Sequence, residues 1–217
     1  MDPHRKRVRH FHEPGDFHEL TFSCYQRCQL LSDDLWRQML CRAIDRAVLS
    51  REFALAAFVI MPEHVHLLVY PCEQAAKTLA AQSRRQWHPT QRSQSSKSIL
   101  HELSRLLADI KRPFSGRIKE LLAKNSDPLL SELTVLERPG KRVFRFWQEG
   151  PGYDRNLSSQ KTVLSAIKYI HLNPVRRGLV ARAADWKWSS ARLYVSDGND
   201  RDPDLPSIHP PPAELFD

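Results

Sequence analysis

The 217-residue chain lacks the features that mark membrane proteins, zinc ribbons and repeat proteins. No apolar run approaches the length that spans a bilayer, and the charged N-terminus has no apolar signal-peptide core. No internal repeat is visible. The chain has no paired cysteine spacing of the zinc-ribbon type, and we expect reduced thiols at its cysteines, Cys24, Cys28, Cys41 and Cys72. These absences predict a cytoplasmic protein with no membrane partner.

Acidic residues are fewer than basic ones. The chain has 25 Asp and Glu against 33 Lys and Arg, a formal net charge of +8 and a pI near 9.5. Such a charge balance suits a polyanion partner, although on its own it is weak evidence for one, since many soluble proteins are mildly basic. A hydrophobic content of 41% is ordinary for a folded domain of this length.

Composition divides the chain into three regions. The composition of residues 1–14 predicts a flexible basic arm, which either binds nucleic acid or only adds solubility. Residues 15–196 predict a single domain, with an inserted helical segment near 72–142 that includes a polar stretch over 82–98. Residues 197–217 are rich in Asp, Gly and Pro, so we expect a disordered tail.

Hydrophobic periodicity predicts an α+β fold with the element order β-α-β-β-α-β-α. This order is typical of a ferredoxin-like antiparallel sheet with its helices on one face and one trailing helix. The fourth strand is predicted over 143–148. Pro113 should kink or end the inserted helix, and Pro174 should end the trailing helix near Asn173.

One strand of this sheet carries two histidines, His64 and His66, with Val65 between them. Alternate side chains of a strand share a face, so both imidazoles would emerge on one side with Val65 buried on the other. Neutral imidazole is a common metal ligand. An isolated His-x-His pattern is more often two polar residues on the wet face of a half-buried strand.

A second segment, about a hundred residues later, places a tyrosine and an asparagine on one helix face. Tyr169 lies about 200° around the helix from Ile167, which belongs to the apolar stripe, so the tyrosine faces away from that stripe. Asn173 follows one turn later on the same face. Taken alone, this pattern favours an amphipathic surface tyrosine. Combined with the histidines, it can complete a site.

The two segments together resemble the single-tyrosine HUH transposases and, within them, the REP-associated tyrosine transposases. The resemblance rests on MPEHVH over 61–66 and on YIHLNPVRRGLV over 169–180. FWQ over 146–148 and DWxWSSA over 185–191, with Tyr194, support it. It runs from about residue 16 to about residue 196. The stretch from 72 to 145 is longer than the compact family pattern.

The resemblance implies metal-dependent nicking of single-stranded DNA and strand transfer at hairpin-forming repeats, which is DNA transposition. Tyr169 would be the nucleophile, forming a 5′-phosphotyrosine intermediate, and no nucleotide cofactor is implied. His64, His66 and Asn173 would hold a divalent ion. Mg²⁺ or Mn²⁺ fits the family, while imidazole ligation alone also admits Zn²⁺ or Ni²⁺.

Tyrosine ordinarily titrates near pH 10, so its deprotonation needs assistance from a base, water or the metal. Glu63, Lys168 and His171 are candidates through sequence proximity only, and a structural role is favoured for each.

Single-stranded or hairpin DNA is the predicted partner of a monomer or homodimer. The candidate phosphate contacts are Lys111, Arg112, Arg117, Lys119, Arg176 and Arg177. Solvated helix faces explain these residues almost as well. Trp147, Trp186 and Trp188 are candidates for base stacking, with buried packing favoured for the last two.

Two other functions compete with an active nickase and transferase. One is a domesticated protein that binds DNA hairpins without turnover, which has no need of a metal-and-tyrosine constellation. The other is a metal-dependent hydrolase that uses the two histidines without nucleic acid, against which the net charge and the block over 169–180 argue.

Overall fold

A computed structural model describes residues 16–71, 96–150 and 152–211, without the side chains of 96–98 and 153. The predicted basic arm, most of the polar stretch over 82–98 and Cys72 lie outside these residues. Among the helices that the structure describes, none is both long enough and apolar enough to cross a membrane. Cys24 and Cys41 are buried free thiols, and Cys28 is an exposed one.

Four of the strands are β1 Phe17–Ser23, β2 Phe53–Ile60, β3 His64–Pro71 and β6 Tyr153–Leu157. They form an antiparallel sheet in the order β2-β3-β1-β6. The helices are α1 Asp34–Ser50, α2 Ser96–Lys124, α3 Leu129–Glu132, α4 Gln160–Arg176 and α5 Ala191–Val195. A separate hairpin pairs β4 Thr134–Arg138 with β5 Lys141–Phe144. Strand order and direction confirm the predicted ferredoxin-like class.

Helices cover both faces of the sheet, so the prediction of helices on one face holds only for α1 and α2. Those two helices bury their apolar stripes against one face, where the strands contribute residues such as Phe22 and Val65. The trailing helix α4 packs on the opposite face through Val163, Ile167 and Ile170. A fully apolar β2 is buried on both faces and makes this second layer possible.

The fourth strand of the sheet is Tyr153–Leu157, and the prediction of 143–148 was wrong. Residues 141–144 belong to the hairpin, although the Gln148 N–H donates to the carbonyl oxygen of Ser23, the last residue of β1, and the Phe146 carbonyl oxygen accepts from the Tyr25 N–H. Gly152 lets β6 approach β1, because its φ is +80° and a Cβ there would lie 2.2 Å from the carbonyl oxygen of Thr21. The polar sequence of this edge strand hid it from pattern analysis.

Neither proline ends its helix. The helix α2 runs through Pro113 to Lys124, and α4 runs through Pro174 to Arg176. Pro174 is buried, so packing offsets its missing backbone donor. The chain leaves α4 after Arg176 through Gly178, whose φ is +68° and whose N–H donates to the carbonyl oxygen of Val175.

Residues 197–211 of the predicted disordered tail pack on the domain. Ile208 is buried in the core, and the His209 N–H donates to the Leu55 carbonyl oxygen at 2.9 Å. The backbone N–H of Ser207 donates to Asp45 at 2.8 Å. Asp, Gly and Pro dominate this segment, so its few anchoring residues left little signal in the sequence. Residues 212–217 lie outside the described part of the chain.

Candidate active site

An open pocket of about 630 Å³ lies between the sheet and α4. The side chains that line it come from β1, β3, β6, α4 and the turn that follows β1. Among them are four of the residues proposed from the sequence for chemistry, His64, His66, Tyr169 and Asn173. The fold therefore brings together residues that stand about a hundred positions apart.

The two histidines lie on the same side of β3, with Val65 buried on the other side. Their Nε2 atoms are 3.1 Å apart and face each other. The Nδ1 atom of His66 is 2.8 Å from the hydroxyl of Thr21, which stands opposite His66 on β1. A partner at Nδ1 fixes the ring orientation and directs Nε2 into the pocket, as metal-binding imidazoles require.

Burial keeps both imidazoles neutral. It lowers the pKa of His66 to about 3, with the neighbouring His64 charge adding to the effect. Burial also lowers the pKa of His64, although Glu63 opposes that shift. Neutral imidazoles have the free lone pairs that metal binding needs. A third buried histidine, His171, has its pKa lowered by burial to about 4.

These low pKa values predict a loss of stability at mildly acidic pH in the metal-free protein. Below pH 6.5 the unfolded chain binds protons at His66 and His171 that the folded protein excludes, so the free energy of unfolding falls with pH. Between pH 7 and 5.5 each histidine should contribute a loss of about 1.2 kcal/mol. Urea unfolding at pH 7 and at pH 5.5 measures this loss in the free energy of unfolding. The pH-dependent loss should shrink by about this amount in His171→Gln, and an unchanged loss would contradict the assignment.

Tyr169 presents its ring to the histidines and to a guanidinium. Its ring stands edge-on to His66 with centroids 5.5 Å apart, and the Arg176 guanidinium carbon is 5.1 Å from the tyrosine centroid. The side chain is 41% exposed, while Ile167 and Ile170 on the same helix are buried. Tyr169 therefore faces away from the apolar stripe, as the helical spacing predicts.

Asn173 is the residue that would complete a metal-binding set. Its Nδ2 lies 3.5 Å from the Tyr169 carbonyl oxygen, so its own amide oxygen is left for another partner. In the described part of the chain, no cluster of three or more His, Cys, Asp and Glu side chains is arranged to hold a metal ion. Two neutral imidazoles and an amide oxygen fit a divalent ion with positions left for substrate, provided that Asn173 serves as the third ligand.

Two of the six proposed phosphate contacts, Arg176 and Arg177, line this pocket. The pocket also holds Arg27 and Arg155, which sequence analysis missed. Arg155 reaches across from β6 to Glu19 at 2.6 Å. Residues Glu19, Thr21 and Ser23 alternate with buried apolar residues along β1, and this alternation is a signal from which a polar face could have been predicted there.

The other four proposed contacts lie on α2, which packs on the opposite face of the sheet. Lys111 is half-buried, with its ammonium 5.8 Å from the Phe22 ring centroid, and Arg117 pairs with Glu120 at 3.1 Å. Arg112 and Lys119 are exposed on the same helix. The structure therefore does not bring these four residues to the pocket.

Side chains considered as tyrosine-assisting bases or stacking platforms have structural contacts. His171 is 2.8 Å from the Ser190 hydroxyl, and Glu63 is buried beside Arg177. Lys168 is exposed and does not line the pocket. Trp147 and Trp188 are buried at 8% and 4% exposure, so neither presents a face to DNA bases.

Comparison with known structures identifies the architecture. A solved structure of a REP-associated tyrosine transposase bound to a REP hairpin matches 98% of this chain and 97% of that chain, at a TM-score of 0.57 and 19% identity. The chain has the fold of that transposase. The sequence resemblance is thus confirmed at the level of fold.

A second solved structure, of a candidate transposase from Deinococcus radiodurans R1, matches 76% of this chain and 95% of that chain at 16% identity. Its TM-score of 0.38 is too low to support an argument. No family model and no curated protein matches the sequence.

Proposed function

We propose that the protein is a transposase of the REP-associated tyrosine type, which nicks single-stranded DNA beside a hairpin and transfers the cut strand. The observation that carries this proposal is the pocket in which Tyr169 stands edge-on to His66, with the Nε2 atoms of the two histidines facing each other. A hairpin-binding protein without turnover has no use for this arrangement.

Tyr169 is the proposed nucleophile. Its oxygen attacks the phosphorus of a phosphodiester, the bond from phosphorus to the 3′ oxygen breaks, and the phenolic proton passes to solvent while the leaving oxygen is protonated. The products are a 5′-phosphotyrosine and a free 3′-hydroxyl. The reverse attack by a new 3′-hydroxyl restores the phosphodiester, so the joining step needs no nucleotide cofactor. The guanidinium of Arg176 lies over the ring and favours negative charge on it.

His64, His66 and Asn173 would hold the divalent ion. When bound, Mg²⁺ or Mn²⁺ supplies a positive charge that stabilises the non-bridging phosphate oxygens as the transition state forms. Thr21 fixes the His66 ring, and burial holds both histidines in the neutral form that binds metal. Each of these roles belongs to a side chain that lines the pocket or supports one that does.

The arginines of the pocket would hold the DNA strand. Arg27 and Arg176 line the pocket and are exposed, so both side chains can contact the phosphate backbone of a bound strand. Such contacts position the strand without reading its sequence. Hairpin recognition is proposed from the bound REP hairpin of the structural neighbour, which shares the fold.

The proposal is tested by trapping the covalent product. Labelled single-stranded DNA that carries a hairpin and flanking bases is incubated with the full chain and Mn²⁺, and the mixture is denatured and run on a gel. A labelled protein–DNA adduct is expected, and chelation of the metal before mixing should remove it. Hairpin binding without any adduct would instead support the domesticated binder.

DNA binding should depend on strand form and on salt. We expect affinity for a hairpin with adjacent single-stranded bases to exceed affinity for plain duplex, and to fall steeply from about 50 to about 200 mM salt. Fluorescence anisotropy measures both. Arg176→Gln should reduce the slope of log affinity against log salt by about 0.7 to 0.9, as loss of one phosphate contact does. Equal affinity for duplex and hairpin would indicate a nonspecific basic protein.

A further inference from the structure

Arg177 is held by a buried carboxylate. Its Nη2 atom donates to Oε1 of Glu63 at 2.8 Å, and only 6% of the Glu63 side chain is exposed. The same Oε1 atom is 3.2 Å from Nδ1 of His64. One oxygen atom thus joins the residue at the end of α4 to one of the two histidines of the pocket.

Both ends of this connection are fixed by backbone bonds. The Glu63 carbonyl oxygen accepts from the Cys24 N–H at 2.8 Å, which ties it to the end of β1. The Arg177 N–H donates to the Asn173 carbonyl oxygen at 3.1 Å, which ties it to the last turn of α4. The arginine and the carboxylate therefore span from the histidine strand to the helix that bears Tyr169 and Asn173.

We propose that Arg177 and Glu63 are positioning residues that set the His64 ring relative to α4, a role that rests on the proposed function. A carboxylate at Nδ1 fixes the tautomer of an imidazole and directs Nε2 to the opposite side. Here Nε2 of His64 faces Nε2 of His66 at 3.1 Å. Glu63 stands at Nδ1 of His64 as Thr21 stands at Nδ1 of His66, although the Glu63 contact is an ion-pair contact of 3.2 Å and only the Thr21 contact is a hydrogen bond.

Arg177 acts on this arrangement through Glu63. Without the arginine, the buried carboxylate loses its guanidinium partner, which favours rotation of Glu63 away from the site. The sequence suggests that Arg176 and Arg177 both contact phosphate. The structure separates them, because Arg176 stands over the Tyr169 ring while Arg177 turns to Glu63.

A double-mutant cycle tests the proposal with Arg177→Gln, Glu63→Gln and the double variant of the full chain. Mn²⁺ affinity is measured by calorimetry without DNA, together with hairpin affinity and the rate of adduct formation. Each single variant should bind Mn²⁺ about 10- to 100-fold more weakly, as loss of a group that supports a metal ligand does. Because the two residues act as a unit, the double variant should lie within about threefold of the weaker single variant.

Two controls separate positioning from loss of charge. Arg182→Gln removes a surface arginine that also pairs with a carboxylate, Asp185, at 2.7 Å, and it should leave Mn²⁺ affinity within about twofold. Arg176→Gln should weaken hairpin binding but leave Mn²⁺ affinity within about twofold. If Arg177→Gln folds poorly, the Mn²⁺ affinity of the double variant is compared with that of Glu63→Gln instead. The double variant leaves no unpaired charge at Glu63.

The proposal is overturned if the losses of Mn²⁺ affinity multiply in the double variant, or if Arg177→Gln weakens hairpin binding while Mn²⁺ affinity stays unchanged. It is also overturned if the natural protein does not bind Mn²⁺. Failure of the proposed function has a different signature. In that case the natural protein forms no adduct, while the cycle in Mn²⁺ affinity still shows coupling between the two residues.

Discussion

Tyr169→Phe is expected to abolish the covalent protein–DNA adduct while leaving the fold and hairpin binding nearly unchanged. The substitution removes one hydroxyl from a side chain that is 41% exposed, so the free energy of unfolding should change by less than about 0.5 kcal/mol. The ring keeps its place beside His66 and Arg176. The nucleophilic oxygen, however, is gone, and Tyr169 is the tyrosine among the residues that line the pocket.

Tyr194→Phe is the matched control for this prediction. The hydroxyl of Tyr194 donates to the Ala56 carbonyl oxygen at 2.8 Å, away from the pocket. Its loss should cost about 1 kcal/mol of stability and leave adduct formation intact, which is the reverse of the expectation for Tyr169→Phe. Peptide mapping of the adduct adds an independent check. Attachment of DNA to Tyr25, Tyr70, Tyr153 or Tyr194, or an undiminished adduct in Tyr169→Phe, would refute the assignment of the nucleophile.

His66→Ala is expected to slow adduct formation by about 10³-fold or more, because the ion is worth several kcal/mol of transition-state stabilisation. Mn²⁺ affinity should fall in parallel, whereas hairpin affinity should stay within about threefold. Thr21→Val is the graded comparison. It keeps the imidazole and removes the hydroxyl at Nδ1, 2.8 Å away, so a loss of about 10- to 100-fold in Mn²⁺ affinity is expected.

The outcome that contradicts the metal assignment is a natural level of adduct in His66→Ala with Mn²⁺ affinity unchanged. If Thr21→Val loses as much Mn²⁺ affinity as His66→Ala, the result would point instead to a general collapse of the pocket. Thermal unfolding of each variant distinguishes collapse from a local effect, because a collapsed pocket would lower the melting temperature along with the activity.

The parts of this fold with strong local signals were predictable. The alternation around His64 and His66 and the helical spacing around Tyr169 each depend on only a few neighbouring residues, and the structure places them as that periodicity predicts. Their meeting in one pocket depends on the side of the sheet that α4 occupies. That side is decided by the second apolar face of β2, which a continuous apolar run does not reveal.

The features that prediction missed have contacts with distant residues. The strand Tyr153–Leu157 is polar and lies at the sheet edge, so its pairing with β1 leaves no apolar pattern. Pro113 and Pro174 both sit inside helices against their local preference, and at the buried Pro174 packing outweighs that preference. Arg27 reaches the pocket from a short turn in which Gln26 and Arg27 have φ of 51° and 55°, a conformation that composition does not predict.

The outer side of β2 is covered by the C-terminal part of the chain. Ile60 and Phe58 bond to the backbone of Trp188 and Ser190, and Leu55 bonds to His209. An apolar strand with unpaired backbone groups at a sheet edge is a template for aggregation, and covering it removes that hazard. Truncated forms of the protein that stop near residue 196 would uncover the Leu55 end of this strand, so poor solubility of such truncations would follow from the exposed edge rather than from any loss of the pocket.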